Sequence, residues 1–322
     1  MPKPFANALR LAISLGLIGA LLWVARDHMA RIGALLAQVR PTWLALALSV
    51  YLAVNGILGI RLQQVLGAVG VTLPLPLLIR LNFIGMFFNN FLPTSTGGDV
   101  VKAYYIGRSA DVAWIAWVGV VVDRALGSGT FLLLTLMALV AHPGDQLLGR
   151  IGWWYVVAGA CVGGAVLGAM ACARGMLQRG NAPAWCVRLQ PLLALMNQRS
   201  RLLWRVGVAA IWSLAAQLLG VMGMLCLSRS LGLPIGLMEL LLVMPLVAAA
   251  SMVPSINGLG VRESALVLCL ERSVGRDSAL ALALLLLAVL IAISLVGGVL
   301  YAVQGGRMKL ALGESTSAKC AG

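Results

Sequence analysis

Two apolar runs in this chain end in residues that an ordinary membrane helix does not tolerate. Leu81 to Phe88 leads into Asn89-Asn90-Phe91-Leu92-Pro93-Thr94-Ser95-Thr96-Gly97-Gly98-Asp99-Val100-Val101-Lys102. Leu240 to Val253 leads into Pro254-Ser255-Ile256-Asn257-Gly258-Leu259-Gly260-Val261-Arg262-Glu263. Proline removes a backbone donor and breaks the helix. Glycines permit backbone angles that other residues avoid. Non-helical backbone at membrane depth survives only where protein or a water-filled cavity covers it. The pattern therefore predicts two interrupted segments that shelter one another, with function where they meet.

Composition supports a membrane setting. Of 322 residues, 61% are hydrophobic and only 11% charged, more apolar surface than a soluble fold covers. The formal net charge of +14 sits mostly in loops between apolar spans, which fits the positive-inside rule. Nucleic acid would want a basic face on a recognisable module, and none is seen. Cys161, Cys172, Cys186, Cys226, Cys269 and Cys320 form no CxxC pair and read as small buried hydrophobes. His28 and His142 stand far apart, so no metal and no cofactor are expected.

Apolar spans are expected over about 11–25, 43–60, 112–141, 152–173, 206–227 and 279–303, with the two interrupted segments between them. The 174–205 loop carries six arginines and no acid and is expected in the cytoplasm. Its middle, Trp185 to Met196, fits an interfacial helix. The chain also repeats itself. Leu73-Pro74 precedes Pro93 as Leu233-Pro234 precedes Pro254, about 160 positions later, and Gly97 and Gly258 each follow four positions on.

Interrupted segments at matching positions of two halves point to a transporter-type site. The expected fold is all-α and polytopic. Residues 1–150 and 151–304 are two transmembrane repeats of opposite orientation, with a disordered cytoplasmic tail over 305–322. Counting crossings against charge gives six full spans and two re-entrant hairpins, with both termini cytoplasmic. Eight or more full spans fit the same charges. Arg26, Arg31 and Arg40 fall on the wrong side in either version.

The Asn-to-Asp block at Asn89–Asp99, Val122-Asp123-Arg124, and Gly258-Leu259-Gly260-Val261-Arg262-Glu263 together resemble the flippase-like transmembrane region of lysylphosphatidylglycerol synthetases. The resemblance covers nearly the whole chain. It implies a protein of a bacterial inner membrane that moves a lipid or lipid-linked head group. The synthase activity of larger relatives lies in an appended domain, for which the stretch after Val303 is too short.

Several residues carry two readings. Asp99 and Lys102 share a helix face and either begin a solvated loop or contact a head group beside Gly97 and Gly98. Asp123 and Arg124 lie inside a long apolar span, where ionisable groups are paired or functional. With Glu263 they read as a buried charge network. Being adjacent on a helix, each needs its own partner, with Lys102, Arg262 or Glu263 as candidates.

Arg262 begins a helix after a glycine turn and suits a phosphate. Asn89 and Asn90 cap a broken helix or touch substrate. Arg80 lines the cavity or snorkels to the surface. Pro93, Gly97, Gly98, Pro254, Gly258 and Gly260 make the breaks.

The leading expectation is therefore a flippase-like transporter of a phospholipid or polyprenyl-phosphate lipid. No GxxxxGK[ST] phosphate loop occurs, so this chain brings no such ATP site. The alternatives are a membrane enzyme acting on a lipid head group and a non-catalytic partner of a separate lipid-modifying enzyme. No nucleophile–base pair stands out, so enzyme activity is not expected.

Overall fold

The structure, a computed structural model, describes residues 29–91, 97–110, 113–141, 157, 199–251 and 260–319. Among them are nine helices and no strands: α1 Met29–Ala37, α2 Pro41–Ala68, α3 Leu75–Phe91, α4 Gly97–Ala110, α5 Ala113–Ala141, α6 Arg199–Ser230, α7 Leu237–Ala250, α8 Val261–Val274 and α9 Arg276–Lys319. Four carry stretches long and apolar enough to cross a membrane: Pro41–Ala68, Ile115–Met137, Leu202–Ser230 and Arg276–Val303. The chain is a polytopic helical membrane protein. The spans expected at 11–25 and 152–173, the interfacial helix at 185–196 and the tips holding Pro93 and Pro254 lie outside the described residues.

Three elements differ from expectation. Helix α1 occupies a stretch that reads as a polar loop. Its Leu35 and Leu36, with Val39 just beyond, pack against the core, which is why the stretch is helical despite its charges. Helix α2 continues eight residues past Ile60, because Leu62, Val65 and Leu66 keep an apolar face beyond Arg61. Helix α9 continues past Val303 into the stretch expected to be disordered.

Helices α2 and α6 pack against each other along their whole length and run antiparallel. Gly67 lies against Arg205, Arg61 bonds Ser213, Tyr51 lies on Gly223, and the Arg40 N–H donates to the Ser230 carbonyl. As numbers fall along α2 they rise along α6.

Both helices end in the same turn. The Val71 N–H donates to Leu66 O and the Leu233 N–H to Ser228 O, each at 2.9 Å. Each turn passes through a glycine at positive φ, Gly70 at 84° and Gly232 at 70°. This is the six-to-one closure of a Schellman motif, where a left-handed residue ends the helix and glycine carries no Cβ penalty. The next helix then starts alike, with Leu78 N donating to Pro74 O and Leu240 N to Gly236 O. The matching positions are 162 residues apart.

The core has two clusters. One gathers Leu62, Val71, Leu78 and Leu81 with Ala103 and Ile106. The other contains Met224, Leu233, Leu240 and Val243 with Val267 and Leu270. The first four of each set again match at a spacing of 162 residues. The same side-chain pattern thus builds a core twice, once toward each end of the α2–α6 pair.

Candidate functional site

Among the described residues, paired charge enters this apolar body at three places. The first lies between α3, α4 and α5. Asp99 sits in the first turn of α4, where a carboxylate is favoured by the helix dipole. It receives Lys102 Nζ at 3.0 Å and Arg124 Nε at 2.5 Å. Lys102 Nζ also reaches Asn82 Oδ1 at 3.4 Å. Asn82 Nδ2 is buried with no hydrogen-bond partner. A buried donor of this kind costs free energy until an acceptor arrives.

The break before α4 is closed by Asn89, whose Oδ1 accepts the Gly98 N–H at 2.7 Å. Asn89 thus caps the next helix across the intervening residues. Gly98 must be small: a Cβ there would stand 1.8 Å from the Gly85 carbonyl oxygen. That contact lets α3 and α4 approach backbone to backbone.

The second place joins α2, α5 and α6. Arg61 forks onto Asp123, Nε to Oδ1 and Nη2 to Oδ2, both at 2.7 Å. Its Nη1 donates to Ser213 Oγ at 3.1 Å, and Ser213 meets Thr130 Oγ1 at 2.8 Å. Both charged side chains are below 9% exposed. A buried charge is tolerated only when paired and hydrogen-bonded, and the planar guanidinium fork matches a carboxylate on two bonds. Gly127 leaves space for the fork, since a Cβ there would lie 3.1 Å from Arg61 Nη1.

The third place is the start of α8. Gly260 is its N-cap at φ 82°, and its N–H donates to Glu263 Oε2 at 2.7 Å. Glu263 Oε1 accepts Arg262 Nη2 at 2.6 Å and Nε at 3.1 Å. Glu263 is buried, and Arg262 is mostly so.

The expected buried network of Asp123, Arg124 and Glu263 is therefore divided. Asp123 and Arg124 do take separate partners, but the partners are Arg61 and Asp99 rather than Lys102, Arg262 or Glu263. Arg124 is half exposed. Glu263 answers to Arg262 and to its own helix start. Among the proposed head-group residues, Asp99, Lys102 and Asn89 come together, while Arg262 belongs to the α8 group. Arg80 is exposed, two residues along α3 from buried Asn82 and so on the opposite helical face. Asn90 is half-buried near the end of α3. Gly97 is buried at the start of α4, while Pro93, Pro254 and Gly258 lie outside the described residues.

Sequence reasoning missed Arg61, Ser213 and Thr130. Arg61 reads as the polar end of a span; the apolar residues that follow it were the available signal. Ser213 and Thr130 carry no such signal, because single hydroxyls in apolar helices usually bond their own backbone.

Among curated proteins, the chain is similar to a UPF0104 membrane protein of Methanocaldococcus jannaschii, 28% identical over 106 residues, an alignment spanning 32% of each chain. The chain thus covers about a third of that relative's length. No solved structure matches. The family model described as the lysylphosphatidylglycerol synthase TM region matches residues 7–298. That match takes in all three charged groups and both interrupted segments, and the chain belongs to the lysylphosphatidylglycerol synthase transmembrane-region family.

Proposed function

We propose that the protein is a flippase-like transporter that moves an anionic phospholipid or polyprenyl-phosphate lipid head group across a bacterial inner membrane. The observation that carries this reading is charge held inside apolar helices: Arg61 on Asp123, and Asp99 between Lys102 and Arg124. Ionisable groups at membrane depth are costly, and mark pathways for polar cargo. Asn82 Nδ2, unsatisfied beside Lys102, is a donor that a head-group oxygen would complete. Arg262 keeps N–H groups beyond those given to Glu263 and serves a phosphate from the α8 side.

The halves are inverted copies. Support comes from α2 and α6, which end in the same turn yet run antiparallel. Two copies of one unit facing opposite ways give a cargo equivalent surroundings from either side, as in transporters built on inverted repeats. The interrupted segments around Pro93 and Pro254 form re-entrant hairpins, and both termini are cytoplasmic.

The test is movement of a labelled phospholipid by the purified chain in liposomes. The wild type should accelerate movement over protein-free vesicles. Arg262→Lys, which keeps a cation beside buried Glu263, should lose most of it while holding the melting temperature within a few degrees, since lysine lacks the planar fork; Arg262→Ala strips Glu263 of its partner and should lose movement and stability together. Wild-type vesicles no faster than empty ones would sink the transport reading.

A further inference from the structure

Away from these three charged groups, a cleft opens where the C-terminal end of α2 meets the N-terminal part of α6. Its volume is about 280 Å³, and Gln63, Gln64, Gly67, Thr72 and Arg205 line it. Among the described residues, no acid contributes to its wall. Arg205 takes part in none of the ion pairs among the described residues. Its guanidinium lies across the Gly67 backbone, so close that a Cβ on Gly67 would stand 1.9 Å from Nη1. The Gln63 amide is fixed by donating to Leu73 O at 3.1 Å. Gln64 and Thr72 supply a further amide and a hydroxyl.

We infer that this cleft binds a phosphate oxyanion, that of a membrane phospholipid head group. A guanidinium with neutral donors around it and no competing carboxylate matches the several acceptor oxygens of a phosphate. The volume sits just below the ~300 Å³ lower end of small-molecule sites, enough for a head group and too little for a whole lipid. Depth selects the lipid as the source. The cleft lies at the ends of two membrane-length stretches, Pro41–Ala68 and Leu202–Ser230, where lipid phosphates reside. Gly67 is six residues from Arg61, about 9 Å along the helix, so the cleft stands outside the Arg61–Asp123 pair.

The residues that line the cleft are not repeated at the other end of the α2–α6 pair. There, 162 positions on, Leu225 and Cys226 replace Gln63 and Gln64, Arg229 replaces Gly67, Pro234 replaces Thr72, and Trp43 stands where Arg205 would be. Cys226, Leu233 and Ile235 are buried at that end. The set Gln63, Gln64, Thr72 and Arg205 therefore stands toward one membrane face only. Resting on the transport reading, it is the face from which the head group is loaded.

Binding is measured on the full chain in detergent, titrated with short-chain phosphatidylglycerol, short-chain phosphatidylcholine and inorganic phosphate, with the rise in melting temperature as readout. Phosphatidylglycerol should stabilise the wild type. Arg205→Ala and Gly67→Ala should each weaken that binding at least tenfold; the second pushes aside only the flexible end of Arg205, so its fold should hold. Gly56→Ala, with open space around its Cβ, should bind as the wild type does. Unchanged phosphatidylglycerol binding in Arg205→Ala and Gly67→Ala would overturn the site. Inorganic phosphate binding as tightly as the lipid would keep the oxyanion site and overturn its lipid source. Lipid binding lost in both variants, with no lipid movement by the wild type in liposomes, would keep this site and remove the transport reading alone.

Discussion

Arg61 shows how a single residue can hold three helices. Its fork spends two N–H groups on Asp123 and a third on Ser213, so α2, α5 and α6 share one buried polar junction. Removing one partner leaves the other as an uncompensated buried charge, which costs about 3–5 kcal/mol. Arg61→Met and Asp123→Leu should therefore each lower the melting temperature sharply. The double variant should recover most of the loss, because a well-packed apolar pair of similar volume is often no less stable than the ion pair. Thermal unfolding of the three variants checks this, and additive losses in the double variant would show that the two side chains do not act as a pair. The residue-scale logic of charge was legible in the sequence only in part. Asp123 announces itself by interrupting an apolar run, but nothing local identifies a partner 62 positions away. Glu263 was read into a network with Asp123 and Arg124, whereas its bonds to Gly260 and Arg262 lie within its own hexad.

Elements meet where glycines let them. Gly98 brings α4 onto the Gly85 carbonyl, and Gly297 brings α9 onto Phe83, with a would-be Cβ 1.9 Å from its carbonyl oxygen. Both neighbours are backbone and cannot rotate away. Gly98→Ala and Gly297→Ala should each destabilise by about 1–3 kcal/mol through overpacking. Gly56→Ala should be neutral or stabilising, since alanine is the better helix former and has room. A second prediction concerns the paired turns. Gly70→Ala and Gly232→Ala both force a side chain into positive φ and should cost a similar ~1–2 kcal/mol. A cost at one turn and none at the other, read by thermal unfolding, would break their equivalence. The repeat was visible in sequence as spaced prolines, about 160 apart. The backbone sets the spacing at 162, because the turn glycines and the residues that close the turns, rather than the prolines, are the equivalent points. Helix α1 was not legible, since its apolar residues make sense only against α9 and the core beside it.

For the whole molecule, the proposal stands on the relation between its halves. Two units with matching turns and matching core positions are joined by antiparallel helices, and inversion follows if the bilayer plane cuts across the α2–α6 pair. Pro76 and Met238 make the direct test. They occupy matching positions just inside α3 and α7, and both are exposed. Each is changed to cysteine on a background lacking the six native cysteines, and labelled with a membrane-impermeant maleimide in vesicles of both orientations. The inverted arrangement predicts that Pro76→Cys reacts from one membrane face and Met238→Cys from the other. Reaction of both from the same face would contradict it.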